Sequence, residues 1–377
     1  MRAPRTLVIY VSREITVYGF LAFLAITAIL VSQNLLRRLD DLVVVGFSGG
    51  DLWTLMGFLV SMLMVYATPI GFLFGVSLAI SRLSGDSEVL GMRASGVGMG
   101  TLLVGPLCLA AAVSVLTGYL MIEVEPSSQR SLRTMLKSVA ARGGVLEAGK
   151  FRDIMGRVIF VEDRDHDNRL RGIMIEDRSD KERPFLIFAE EGHFVFDDEA
   201  EAIRIELDNG EIHLEPSSRE PEHYRQVEFR ELSYRFSVGS IVSGAAAQVR
   251  PREMGIRELR ENIALLRAGG EKPDHLREGD PVEYELQLHR RFAIPVAPIL
   301  FALIAVPLGL RRVGATRSWG ALIALVIVFL YYSLMTFGQF LAREGWVGPG
   351  TALWLPNLLN GGVAAVLLAR TRGGSTL

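Results

Sequence analysis

Two short stretches of this chain hold residue types whose spacing points to chemistry, and in both it is the chemistry of recognition. The first is SRLSGDSEVLGMRASGVGMG, residues 81–100. Asp86 or Ser87 is placed to cap a short helix, Glu88 sets a negative charge near its N-terminus, and Gly96 and Gly98 are placed to stop it. With Glu88 and Arg93 exposed and Val89, Leu90 and Met92 left to pack, such a helix suits a partner's groove. A turn that merely joins two apolar segments accounts for the same residues. The second stretch is Arg37-Arg38, whose guanidinium forks suit phosphate. Long side chains beside an apolar run also serve as snorkelling anchors, and Asp40 and Asp41 directly afterwards favour that plainer role.

The remaining reactive residue types lack a reactive pattern. His166, His193, His213, His223, His275 and His289 share one polar stretch without structural-metal spacing. Cys108 is the single cysteine and lies in an apolar run, which excludes a disulfide framework. No G-x-x-x-x-G-K-[ST] occurs, so the chain carries no phosphate cradle. No catalytic residue, metal or cofactor is expected.

The elements that position the two stretches follow from the charge distribution. Residues 122–291 hold 27 Lys/Arg and 35 Asp/Glu of the chain's 40 and 42, which leaves long uncharged runs elsewhere. That excludes an ordinary soluble enzyme, a disordered chain and a coiled coil. The net charge of −2, with no basic stripe, argues against nucleic-acid binding. About 18 or more uncharged apolar residues suffice for a membrane-spanning helix. Six such runs occur, at Ile15–Leu36, Thr54–Ile80, Thr101–Met121, Phe292–Leu310, Trp319–Phe340 and Thr351–Leu368. Trp53, Trp319, Trp346 and Trp354 fall at or just beyond span ends, where amphipathic rings settle. Pro69, Pro106, Pro295, Pro298 and Pro307 are expected to kink spans.

With both termini cytoplasmic, Arg2, Arg5, Arg13, Arg82, Arg93, Arg311, Arg312, Arg317, Arg370 and Arg372 lie inside, and only Arg37, Arg38 and Arg343 lie in short outside loops. The positive-inside rule therefore puts the polar stretch across the membrane. Within it, residues 122–142 extend the third helix until Gly143-Gly144. Period-two segments follow to about Val238, with Asn209-Gly210 between IRIEL and EIHLE as a hairpin signal. Short alternating strands of this kind make a sandwich or jelly roll. Ile159, Val161, Ile173, Ile175, Ile187, Phe194, Phe196, Ile203, Ile205, Ile212 and Phe229 line either its core or an open apolar conduit. Residues 239–250 read as a loop and Arg252–Arg267 as a helix. Asp280, Pro281 and Glu283 then stand as N-cap, N1 and N3 of a helix entering the fourth span.

The expected organisation is residues 1–142 as an N-terminal membrane half with a short surface helix near 84–96, 143–250 as an external β domain, 251–291 as a helical connection, and 292–377 as a C-terminal membrane half. The assigned spans contain no Asp, Glu, Lys, Arg or His, which weighs against ion-coupled transporters and intramembrane proteases. Active transport through such a chain takes its energy from a separate subunit. A membrane receptor or scaffold with a β sensing domain stays open as the alternative, although the longest loop on its output side is about twenty residues.

SEVLGMRASGV between spans two and three, LHRRFAIPVAPILFALIAVPLGLR running into span four, and LWLPNLL in span six resemble the LptF/LptG family of lipopolysaccharide export permeases, also described as YjgP/YjgQ type. EGHF and HRRFA resemble its LptF branch more than LptG. The resemblance covers essentially the whole chain. It implies six transmembrane helices in a 3+3 layout with an inserted periplasmic β-jellyroll, in the inner membrane of a Gram-negative bacterium. It also implies an ABC transporter permease subunit serving outer membrane biogenesis, with a second LptF/LptG-type chain, an LptB-type ATPase dimer, an LptC-type jellyroll protein and lipopolysaccharide as partners. Glu88 matches the acidic position of the family's coupling helix.

Overall fold

The computed structural model describes residues 5–37, 49–141, 148–153, 157–165, 169–178, 184–197, 202–214, 225–237, 249–268, 281–310 and 317–372. Six helices within them are long and apolar enough to cross a membrane. In chain order they are α1 (Arg5–Leu36), α2 (Gly49–Gly85), α4 (Met99–Tyr119, continuing outward), then α7 (Pro281–Leu310), α8 (Arg317–Arg343) and α9 (Pro349–Arg372). Several outrun their uncharged cores. The 37 residues of α2 reach about 55 Å at ~1.5 Å per residue, well beyond a ~30 Å hydrocarbon layer. A helix has no reason to stop where lipid does, because its backbone bonds are satisfied internally.

The third span illustrates this. From α4 the chain winds through a π-helical turn, Leu120–Val124, into α5 (Glu125–Ala141), so the expected outward extension forms. Its expected stop at Gly143-Gly144 lies outside the described residues. Pro69, Pro106, Pro295, Pro298 and Pro307 all fall inside helices, with Pro356 in α9 as well.

Helices α2 and α7 are mostly buried, whereas α1 lies at the edge of the bundle with an exposed outer face and only Val11, Ile15 and Thr27 buried. The centre holds Leu73, Val76, Phe301, Ala305 and Tyr331, while Phe20, Leu24, Phe329, Phe337 and Leu358 face outward. Outward apolar residues of this kind suit lipid tails or another apolar chain. α1 seats on α2 through glycine: a Cβ on Gly75 would come within 2.6 Å of Gly19 Cα. Small residues allow such close backbone approach, which replaces the weak hydrophobic drive between helices in lipid.

Between the two sets of helices lies one antiparallel sheet, β1 (Arg152–Asp153), β2 (Arg157–Arg164), β3 (Arg169–Asp177), β4 (Phe185–Asp197), β5 (Ala202–Leu214) and β6 (Arg225–Ser237), in sequential order. Each described strand pairs with its chain neighbour, so the described part is a meander. Ile159, Val161, Ile173, Ile175, Ile187 and Ile205 pack into one core with Val139 of α5; Ile212 and Phe229 are partly buried against it. At these positions the strands build a core. The side chains of Phe194, Phe196 and Ile203 lie outside the described set.

Asn209-Gly210 is not a hairpin turn. β5 runs straight through it, with Asp208 and Gly210 paired to β4 and β6 on both sides. Asn209 takes φ 51° as a local kink. Two flanking strands of thirteen residues each pair across the site, and that tertiary pairing overrides the local turn preference. Gly210 is needed for space, since a Cβ there would lie 2.2 Å from the Phe188 carbonyl oxygen.

Past the sheet, α6 spans Ile256–Arg267, four residues later than the expected start at Arg252. Gly255 is its N-cap, and the Glu258 carboxylate accepts a 2.7 Å bond from the Gly255 N–H. Pro281 opens α7 as expected. Asp280 lies outside the described residues, and Glu283 pairs with Arg343 of α8 at 3.1 Å.

Candidate functional site

The stretch after α2 forms the expected short helix, α3 (Glu88–Ala94). Its caps differ from the expectation at one end. Ser87 is the N-cap in the left-handed region, φ 59°, without a side-chain cap, and the Asp86 carboxylate instead accepts from Arg82 Nε at 3.2 Å. At the other end the Val97 N–H bonds Met92 O and the Gly96 N–H bonds Arg93 O, both at 3.0 Å, with Gly96 at φ 85°. That pair of bonds is a Schellman stop and needs a residue free to adopt positive φ. Gly98 begins α4 as its N-cap rather than ending α3.

Val89 is buried and Met92 packs against the membrane core, so they anchor α3. Leu90 and Arg93 remain exposed. Glu88 is drawn partly inward, against the expectation of full exposure, because two elements hold it. Tyr10 of α1 donates its hydroxyl to Glu88 Oε2 at 2.8 Å, and Arg82 Nη2 stands 3.8 Å from Oε1. Arg82 also reaches Glu14 of α1 at 2.5 Å. One guanidinium thus serves three carboxylates, and α1, α2 and α3 meet there.

A second charged cluster lies at the far end of the bundle. Arg290 Nη2 donates to Glu125 Oε1 at 2.5 Å and Nη1 to the Tyr66 hydroxyl at 2.6 Å, with the guanidinium 5.8 Å from the Tyr66 ring centre. Arg291, fully buried, donates to the carbonyls of Met254 and Arg252. These bonds pin α2, α5, α7 and the chain entering α6 to one another. The spans as assigned from sequence end just short of Arg290, Arg291 and Glu125, so this cluster sits at their margins. A third polar knot ties the last three spans: Tyr331 of α8 donates to Asn357 Oδ1 at 3.0 Å, and Asn357 Nδ2 donates to the Ala293 carbonyl at 2.9 Å.

The chain matches the family described as Lipopolysaccharide export system permease LptF/LptG over residues 9–370. It belongs to the LptF/LptG family. A comparison with curated proteins returned no match. Membership makes this LptF/LptG permease a multi-pass protein of lipopolysaccharide transport in the inner membrane, a transport subunit rather than an enzyme; the match does not separate the F branch from the G branch.

In this permease Glu88, Val89, Leu90, Met92 and Arg93 are brought together on α3. Arg37 is exposed at the opposite end of α1 from Tyr10, and Arg38 lies outside the described residues. Among the histidines, His213 pairs with Glu211 at 2.9 Å and stacks edge-on against Phe188; that hydrogen bond holds the Glu211 carboxyl below its ordinary value. Among the described residues no group of His, Cys, Asp and Glu could hold a metal ion. Sequence reasoning missed Tyr10 and Arg82 as partners of Glu88, Glu14 as a partner of Arg82, and the Arg290–Glu125 pair. Arg82 was visible only as an orientation charge, and HRRFA only as a piece of family resemblance.

Proposed function

We propose that this chain is the permease half of an ABC transporter that extracts lipopolysaccharide from the inner membrane and passes it to a periplasmic bridge. Its energy comes from a separate LptB-type ATPase dimer, since the sequence contains no phosphate cradle. A second LptF/LptG-type chain completes the membrane core, and this one is the F-type half. Residues 1–142 and 292–377 form the membrane half in a 3+3 layout, 143–250 a periplasmic β-jellyroll that hands lipid to an LptC-type jellyroll, and 251–291 the helical connection. α3 is the coupling helix: Leu90 and Arg93 enter the ATPase groove and Glu88 meets a cation there. Arg37 and Arg38 contact lipid phosphates at the outer leaflet.

The family match over residues 9–370 carries this reading, and the anchored α3 with its outward Leu90 and Arg93 supports the docking part. Pull-down of the tagged chain in mild detergent tests it. The expected result is a copurifying ATPase whose activity responds to lipopolysaccharide. A chain that copurifies with no ATPase contradicts the proposal.

A further inference from the structure

We propose that Tyr10 and Arg82 are positioning residues for the coupling acid Glu88, wiring the cytoplasmic end of α1 to α3 so that a partner cation drawing on Glu88 also moves α1. The inference rests on the reading of α3 as the ATPase-docking helix.

The geometry is a three-element junction. Tyr10 and Glu14 lie one helical turn apart on α1, and both point to the turn between α2 and α3: Tyr10 bonds Glu88 at 2.8 Å, and Glu14 bonds Arg82 at 2.5 Å. Arg82 in turn holds Asp86 at 3.2 Å and stands 3.8 Å from Glu88. Three carboxylates share one guanidinium, which leaves an excess of two negative charges and suits an incoming cationic side chain. Arg82 is nearest Glu14 and farthest from Glu88, so Glu88 is the carboxylate a partner can take over. Among the described residues, Tyr10 and Glu14 make the polar side-chain contacts of α1 with other elements.

α1 is suited to carry the displacement. Its 32 residues contain no proline, whereas α2, α4, α7 and α9 each contain one or more. An unkinked helix of that length extends about 48 Å. Its outer face is exposed within the chain, its inner face buries Val11 and Ile15 and seats on α2 through Gly19, and it ends beside Arg37. The junction and Arg37 are therefore the two ends of one rod. What reaches Glu88 reaches Arg37 as well.

The test uses the intact complex of this chain with its partner permease and ATPase in lipid nanodiscs, in a Cys108→Ser background. Three quantities are measured: ATPase affinity, lipopolysaccharide released per ATP, and the distance between spin labels at Arg13→Cys and Gly91→Cys. Tyr10→Phe removes one hydroxyl and should leave ATPase affinity within about twofold while lowering lipopolysaccharide per ATP about five- to tenfold, since a hydrogen bond to a charged group is lost. The label distance should broaden. Arg82→Lys keeps the charge but not the fork, and should act in the same direction. It carries the test if Tyr10→Phe does not assemble. Wild-type lipopolysaccharide per ATP and a narrow distance in the assembled variants overturn the proposal. A loss of ATPase affinity that matches the loss of transport overturns it too, because Tyr10 is then a direct docking contact. Glu88→Lys with wild-type affinity and transport removes the docking reading itself, and the proposal falls with it.

Discussion

Arg290 and Glu125 stand 2.5 Å apart with side chains 8% and 3% exposed, joining α7 to the first turn of α5. Glu125 Oε2 and Arg290 Nε have no hydrogen-bond partner among the described residues, so the pair stays together without full satisfaction. Removing one charge strands the other in a dry site. Glu125→Leu or Arg290→Met alone should cost about 3–5 kcal/mol, whereas the double replacement should cost much less. Thermal unfolding of the purified permease in detergent reads this difference. Equal destabilisation by the single and double variants contradicts it.

Glu253 gives a pH dependence outside the membrane. Burial pushes its carboxyl above the ordinary 4.5, against the pull of Arg133, which bonds it at 2.9 Å. The folded state therefore holds that proton more tightly than the unfolded chain. This contribution to stability is fully present below 4.5 and is lost as pH rises through the higher folded value. Glu253→Gln cannot ionise. Wild type should lose protease resistance near α6 between pH 4.5 and neutral, and the Gln variant should change less. Identical pH profiles would refute this.

Arg37 and Arg38 separate two roles by substitution. As lipid-phosphate contacts, both replaced by Gln should reduce lipopolysaccharide crosslinking and lipopolysaccharide-stimulated ATPase activity while basal activity persists. Both replaced by Lys keeps charge and reach but loses the fork. Normal activity in both double variants, at normal protein level, shows that these arginines serve only as anchors.

Topology is tested with single cysteines after Cys108, exposed on α4, is replaced by Ser. Ser84 is buried, so Ser95, exposed after α3, is the better cytoplasmic reporter, beside Ser318. A cysteine at Glu191 in β4 should label from the periplasm and one at Ser95 only from the cytoplasm. The reverse pattern overturns the assigned orientation.

Hydropathy and charge made the six spans and the strand region legible, because lipid demands long uncharged helices and a half-buried strand demands alternation. The Asn209-Gly210 signal misled because local preference yields to long-range pairing in β5. Glu88 was legible through the family resemblance and α3 through its glycine stop. Its partners were not, since Tyr10 reaches it only through the close seat of α1 on α2, and Arg82 only through the turn between α2 and α3. Asn357 stood in LWLPNLL without a visible role until α8 brought Tyr331 to it.

The central claim is that an ATPase docked at α3 drives lipopolysaccharide out of the membrane through this permease. The direct measurement is ATP-dependent transfer of labelled lipopolysaccharide from proteoliposomes, holding the reconstituted complex, to a soluble periplasmic-type acceptor, with wild type beside Glu88→Ala and Glu88→Lys. Wild type should transfer lipid only with ATP; Glu88→Ala should transfer less, and Glu88→Lys least, because a reversed charge meets the partner cation. ATP-independent transfer, or transfer by Glu88→Lys equal to wild type, would contradict the account.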